Sequence, residues 1–246
     1  MSLSAVLITL NEERKLPECL RRLAFADEIV VVDSCSEDQT VQIAEKAGAK
    51  VFQRTFDSFS GQKNYGIQMA GGDWILLIDA DELVTPELRD EILSAIRSQE
   101  YRSAFTLRRV NQIFGAVLRH GASGEDHPIR LVRKGAGVFE GLVHEKLRIE
   151  GEIGDLRGEL THITYQTLEE YFLKFNQFSS LDAREFLRQE RKPPSWLQIL
   201  VKPAAEFFFY YIVKAGFLDG WPGFQYQVLS SFYVFIKHAK AKNLKK

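Results

Sequence analysis

Gly71-Gly72-Asp73-Trp74-Ile75-Leu76-Leu77-Ile78-Asp79-Ala80-Asp81-Glu82 contains an apolar run that stops abruptly at three carboxylates. Trp74 to Asp79 reads as a buried strand, and in an α/β sheet ligands gather beyond the carboxyl ends of the strands. On a pleat, Asp79 and Asp81 share one side while Ala80 faces the other. Two carboxylates so placed suit one hard divalent ion. Mg2+ takes oxygen ligands, keeps water, and is held by one or two carboxylates plus substrate phosphates rather than by a protein cage. Mg2+ or Mn2+ on Asp79 and Asp81, and a diphosphate substrate, are therefore expected. The competing use of the carboxylates is helix capping. Thr85 already makes a good N-cap, however, with Pro86 at the first helical position and Glu87 complementing the dipole.

Upstream, the stretch from Ser4 reads as a short buried strand that breaks into Asn11-Glu12-Glu13, and Lys15 to Leu23 has helical spacing. Glu28 to Asp33 is a second β-branched run, followed by polar Ser34 to Thr40 and an amphipathic Val41 to Ala47. Gly48 to Phe52 reads as a third strand and Phe59 to Ala70 as a helix. Such alternation predicts a parallel sheet covered by helices.

With these elements in place, five ordered motifs stand out: Thr9/Asn11/Glu12, Asp33-Ser34-x-Ser36-x-Asp38-x-Thr40, Lys63-Asn64-x-Gly66, Gly72-Asp73-Trp74 and Asp79-Ala80-Asp81-Glu82. Together they resemble the N-terminal half of family 2 glycosyltransferases, over about the first ninety residues. Cys35 departs from the pattern, since this family commonly carries Gly there. The resemblance implies a GT-A fold, that is, Rossmann-like α/β with a mostly parallel sheet and flanking helices. It also implies that Thr9, Asn11, Glu12 and Asp33 line a base and ribose pocket and that Lys63 lies near the diphosphate. A strand-end carboxylate such as Asp33 is a fitting acceptor for a base or ribose donor. It also suits an Asx turn before the next helix, and both uses can hold together.

His127-Pro128-Ile129-Arg130-Leu131-Val132-Arg133, then Gly141-Leu142-Val143-His144-Glu145-Lys146-Leu147, resemble the lipopolysaccharide core branch of that family. Inverting sugar transfer needs a base that deprotonates the acceptor hydroxyl as it attacks the anomeric carbon. By the resemblance Glu145 takes that role, with Asp126 in its Gly-flanked loop as the alternative. Arg130 and Arg133 share a side of their strand only with a bulge; Arg130 is expected to face phosphate.

The chain has 246 residues, 45% of them hydrophobic, and a net charge of −1. Near-neutral charge argues against a nucleic-acid binder. Cys19 and Cys35 make no metal-ligand pattern and are expected as reduced thiols in a cytoplasmic protein. The charge is unevenly spread: from Arg191 onward nine Lys or Arg face two acidic residues, among thirteen of the chain's aromatics. Charges at Lys202, Glu206, Lys214 and Asp219 interrupt any run long enough to span a bilayer. Val228, Leu229, Phe232, Phe235 and Ile236 form a helical stripe followed by lysines, as in a helix lying on anionic lipid. Thr167-x-x-Glu170 caps an earlier helix whose Leu168, Phe172, Phe175 and Phe178 are expected in the core.

The resulting expectation is a GT-A catalytic domain over residues 1–165 and a helical, basic-aromatic extension over 166–246. Its donor would be a nucleotide sugar, UDP-linked, carrying a hexose such as glucose. Its acceptor would be a lipid-linked saccharide such as the lipopolysaccharide inner core. Peripheral attachment to the inner face of the cytoplasmic membrane follows, with oligomerisation through the C-terminal helices possible. The alternatives are a polyprenyl-phosphate hexose transferase or a non-catalytic nucleotide-sugar-binding scaffold.

Overall fold

The computed structural model describes residues 1–98, 101–124, 126–141, 146–190 and 192–244. Two compact units form, Met1–Arg109 with Asp126–His162, and Val110–Glu125 with Ile163–Lys246. The chain opens with β1 (Leu3–Thr9), α1 (Leu16–Arg22), β2 (Glu28–Asp33), α2 (Thr40–Lys46), β3 (Lys50–Gln53) and α3 (Phe59–Met69). It continues through β4 (Trp74–Leu77), β5 (Glu82–Val84), α4 (Pro86–Arg97), β6 (Ala104–Ile113), β7 (Ala116–Leu118) and β8 (Ile129–Arg133). It ends with β9 (Gly137–Glu140), β10 (Lys146–Ile149), β11 (Ile153–Tyr165), α5 (Leu168–Glu190), α6 (Trp196–Phe208) and α7 (Gly220–Asn243).

The main sheet has the order β3-β2-β1-β4-β8-β6-β11-β5, and β9 pairs with β10 apart from it. β1 is parallel to β2 and to β4, and β2 is parallel to β3. β8 runs antiparallel to β4 and β6, and β5 antiparallel to β11. The sheet is therefore mixed, parallel where crossover helices join the strands and antiparallel beyond β4. Leu3, Ala5 and Leu7 bury one face of β1 with Leu16 and Leu20, whereas Val6 joins Ile75, Leu77 and Ala70 on the other. Both faces are covered, which is why these strands read as continuous apolar runs instead of alternating ones.

The helices are placed by the same logic. α1 buries Leu16, Cys19, Leu20 and the following Leu23, spaced as one helical stripe. α4 starts where Thr85 Oγ1 accepts from Leu88 N at 3.3 Å, and it buries Leu88, Ile92 and Ile96. α3 approaches the sheet closely: a Cβ on Gly66 would stand 2.5 Å from Val6 Cγ1.

In the second unit α5 packs on α7, but not through the expected residues. Leu168, Phe172 and Phe178 are 43%, 47% and 47% exposed, and only Phe175 of that set is buried. The buried row is Tyr171, Phe175, Ser179 and Ala183. Its small members give no apolar signal, so the stripe inferred from the large residues alone is out of phase. Phe175 stacks on Phe232 at 5.7 Å, Lys240 Nζ donates to Ser179 Oγ at 2.8 Å, and Tyr233 donates to Asp182 Oδ2 at 2.6 Å. On its own buried side α7 carries Gly223, Gln227, Ser231, Val234, His238 and Ala241. Its large apolar residues Trp221, Val228 and Phe232 remain exposed. No described helix is long and apolar enough to cross a membrane.

Candidate active site

β1 and β4 are neighbouring parallel strands, and after β1 the chain builds outward through β2 and β3 before returning to β4 on the other side. Such a reversal opens a crevice at the carboxyl ends of the strands. A cavity of about 540 Å³ lies there. Thr9 and Glu12 line it from the end of β1, Ser34 from the end of β2, and Asp79, Ala80 and Asp81 from the turn after β4. Phe59 and Lys63 enter from α3, Arg109 from β6 and His162 from β11. β4 ends at Leu77, so the carboxylates sit on a turn rather than on a pleat, and Ala80 also borders the cavity.

The two aspartates have different surroundings. Asp79 Oδ2 accepts from Arg130 at 2.6 Å, and Lys63 Nζ stands 3.7 Å from Oδ1. Burial opposes its ionisation, but Arg130 and Lys63 outweigh that and hold the carboxyl well below its usual range. Asp81 has Lys15 Nζ 3.6 Å from one oxygen and His162 Nε2 3.6 Å from the other. Its pKa is lowered too, with burial working against ionisation and His162 and Lys15 favouring it. Glu82 is buried beneath the turn, where it accepts from Asp79 N at 3.1 Å, Arg130 at 2.5 Å and Arg109 at 2.9 Å. Arg130 is thus a buried cation shared by two carboxylates, which raise its pKa against the opposing effect of burial. Among the described residues no three of His, Cys, Asp and Glu are grouped to cage a metal. An ion of the Mg2+ kind, completed by substrate phosphates and water, does not require such a cage.

The sequence pattern of glycosyl transferase family 2 matches residues 4–135, more than half of the chain. The chain belongs to glycosyl transferase family 2. An uncharacterized glycosyltransferase of Rickettsia bellii (strain RML369-C) is 28% identical over 98% of this chain and 86% of that protein. Lipopolysaccharide core biosynthesis glycosyltransferase LpsC of Rhizobium meliloti (strain 1021) is 28% identical over 97% of this chain and 94% of its own length. Among solved structures, S. aureus TarS 1-349 superposes with a TM-score of 0.51 at 19% identity, covering 97% of this chain and 81% of that one. The fold is GT-A, with the flanking helices expected but a mixed sheet in place of the mostly parallel one, because the strands from β5 onward pair antiparallel where no crossover helix joins them.

Against that family pattern, the residues singled out by sequence divide into four groups. Thr9, Glu12, Lys63, Asp79 and Asp81 line the cavity. Asn11 and Asp33 instead hold the loops. Asp33 is fully buried, and its carboxylate accepts from Thr9 Oγ1 at 2.9 Å, Ser36 Oγ at 2.5 Å and Ser36 N at 2.8 Å. Asn11 accepts from Glu37 N at 2.9 Å through its side chain, and its backbone N donates to Ser36 Oγ at 2.8 Å. Asp126 is held by Arg109 in a two-pronged pair at 2.9 and 2.7 Å. Arg130 reaches Asp79 and Glu82 as described, while Arg133 lies over the Trp74 ring at 4.8 Å. Glu145 and the preceding His144 lie outside the described residues. Sequence reading missed Lys15, Phe56, Phe59, Arg109 and His162. Arg109 and His162 occupy strands that reach the site by pairing far along the chain, which local patterning does not display.

Proposed function

We propose that this family 2 enzyme catalyses metal-dependent, inverting transfer of a hexose, glucose foremost, from a uridine diphosphate sugar to a lipid-anchored saccharide of the lipopolysaccharide core class. The observation that carries this reading is the switch-point cavity, where Asp79 and Asp81 stand among Lys15, Lys63, Arg109 and His162. That mixture of carboxylates and cations suits a diphosphate and its counterion. The likeness to LpsC along nearly the whole chain supports the acceptor class.

Asp81 would hold Mg2+ or Mn2+ together with His162, whose Nε2 stands 3.6 Å from its carboxylate at the cavity. Asp79, already facing Arg130 and Lys63, is the weaker of the two aspartates as a direct ligand. Bound there, the ion would neutralise charge on the departing diphosphate. Lys63 and Arg109 would face the same group. The acceptor hydroxyl oxygen bonds to the anomeric carbon as the bond to the diphosphate breaks on the opposite face, its electron pair leaving with the diphosphate. The hydroxyl proton passes to a carboxylate, assigned to Glu145, with Asp126 as the alternative once Arg109 releases an oxygen.

A lipid-anchored acceptor makes the cytoplasmic membrane surface the second partner. Trp196, Leu197, Leu200, Phe208, Leu218 and Trp221 are each at least 60% exposed in the second unit. Lys242 lies over the Trp196 ring at 4.6 Å and Lys214 over Phe209 at 5.8 Å. Exposed aromatics paired with lysines suit the headgroup layer. Residues 1–165 would then form the catalytic domain and 166–246 the membrane-facing extension, with packing of the C-terminal helices against a second copy as the competing use of that surface.

The test is a panel of nucleotide sugars with lipopolysaccharide core, free sugar and polyprenyl phosphate as acceptors, with and without EDTA, read by released nucleotide and product anomer. UDP-glucose turnover onto the core saccharide, inverted and lost with EDTA, is expected. Transfer to polyprenyl phosphate instead, or nucleotide binding without turnover on any acceptor, replaces the reading.

A further inference from the structure

Two phenyl rings at the cavity have no role in the scheme above. Phe56 follows β3 and Phe59 opens α3; both line the cavity, 45% and 46% exposed, in an edge-to-face pair 5.1 Å apart. The loop that carries them is fixed by polar bonds. Arg54 grips Asp57 through two bonds of 2.8 and 2.6 Å and reaches Gln62 Oε1 at 3.0 Å, while Asp57 accepts from Ser58 N at 2.6 Å. Gln62 Nε2 in turn donates to Ser34 Oγ at 3.0 Å and Arg54 O at 2.9 Å. The sequence thus holds two rings in the open on a rigid support, where a large apolar face needs a partner.

The partner is indicated by what surrounds the rings. Through Gln62 the start of α3 is tied to Ser34, at the end of the cavity where β1 and β2 stop. There the carboxylate of Asp33 has no exposed surface and is occupied by Thr9 and Ser36. The exposed apolar surface near that end is that of the two rings, set edge to face at 72°. Lys63 lies four residues after Phe59, on the same helix face about one turn on, and stands 3.7 Å from Asp79. One face of α3 therefore presents a ring and then a cation. In a nucleoside diphosphate, a planar base and then a charged phosphate follow in the same order, separated by one ribose.

We propose that Phe56 and Phe59 bind the nucleobase of the donor, one ring stacking on the π face of the base and the other, set edge to face against it, buttressing the first. This rests on the nucleotide-sugar reading above. A sequence-tolerant surface of that kind lets base choice depend on stacking more than on edge recognition.

The experiment titrates UDP and 5,6-dihydro-UDP, which keeps the hydrogen-bonding edge but loses the planar ring, into the full chain with Mn2+. Wild type, Phe56→Ala, Phe59→Ala and the corresponding tyrosine variants are compared, with melting curves to establish that each is folded. Alanine at the stacking position is expected to weaken UDP about 5- to 150-fold, the range for losing one base–aromatic stack, and alanine at the buttressing position to weaken it less. Tyrosine restores binding. Wild type prefers UDP over dihydro-UDP, and that preference shrinks toward unity in the alanine variants. Both alanine variants binding UDP within twofold of wild type, or losing UDP and dihydro-UDP by the same factor, overturn the platform while leaving the donor reading standing. A wild-type chain that takes up no UDP with Mn2+ overturns the uridine donor reading and this inference with it.

Discussion

Cys35 adopts φ +64°, a left-handed conformation in which a side chain costs roughly 1–2 kcal/mol. The glycine that the resemblance led one to expect would fit there without that cost. Cys35→Gly is accordingly expected to raise stability by about 1 kcal/mol, after allowance for the greater freedom glycine gives the unfolded chain. Denaturant midpoints at unchanged slope measure it; a lower midpoint would mean that the exposed thiol makes a contact worth more than the strain. At the carboxylates, Asp81→Asn removes charge from the oxygens nearest His162 and Lys15. It is expected to abolish the Mn2+ dependence of UDP binding and to lower turnover at least 100-fold with the melting temperature little changed. Calorimetry with and without Mn2+ checks this, and a variant that still couples metal to nucleotide would move the ion elsewhere. Residue types announced part of this chemistry. Asp79 and Asp81 were legible because they follow a local strand, and Lys63 because it sits within a local helix. Asp33 was legible as a turn former as well as a pocket residue, and only its filled hydrogen bonds favour the former.

At the scale of elements, Glu28 links the starts of three strands. Its carboxylate accepts from Lys50 at 2.6 Å, Ser4 Oγ at 2.5 Å and Gly71 N at 2.7 Å, bringing the edges of β1, β2, β3 and the approach to β4 to one group. Burial raises its pKa and these partners lower it further than that, to about 2 from 4.5. The folded chain therefore binds this proton less readily than the unfolded one. Its stabilisation is complete above the unfolded value of 4.5 and fades as pH falls toward about 2. Wild type should lose on the order of 2–3 kcal/mol across that window from this group alone. Glu28→Gln should be less stable at neutral pH and show a correspondingly shallower acid slope, as urea titrations between pH 7 and 2.5 would reveal. An unchanged slope would assign the acid sensitivity to other carboxylates. The βα alternation around Glu28 was readable because each strand and its helix are contiguous. The phase of α5 was not, because Ser179 and Ala183 contribute closeness rather than hydrophobicity. Arg109 and His162 were hidden for a third reason: β6 and β11 reach the sheet through pairings that no local period records.

For the molecule as a whole, the charge imbalance and the outward aromatics of α6 and α7 make one further expectation. From Arg191 onward nine basic residues face two acidic ones, and Trp196, Phe208, Phe209, Phe217, Trp221 and Phe232 among them are exposed. Flotation with anionic vesicles should fall as salt rises, because screening shortens the reach of exposed charge. A fraction should persist at high salt through apolar burial. A chain that never floats at any ionic strength would assign the apolar surface to a second copy, which sedimentation would then detect.

Asp219, just before α7, accepts from Arg119 N at 3.0 Å and His120 N at 2.8 Å, and pairs with His120 Nδ1 at 2.7 Å. His120 and Asp219 are 99 residues apart in the chain. A ribosome adding about 5–20 residues per second delivers the anchor roughly 5–20 s after the loop it fastens. Over that interval the strands and helices of the first unit can already have closed. The second unit is therefore assembled late, the residue that precedes α7 securing a loop made 99 residues earlier.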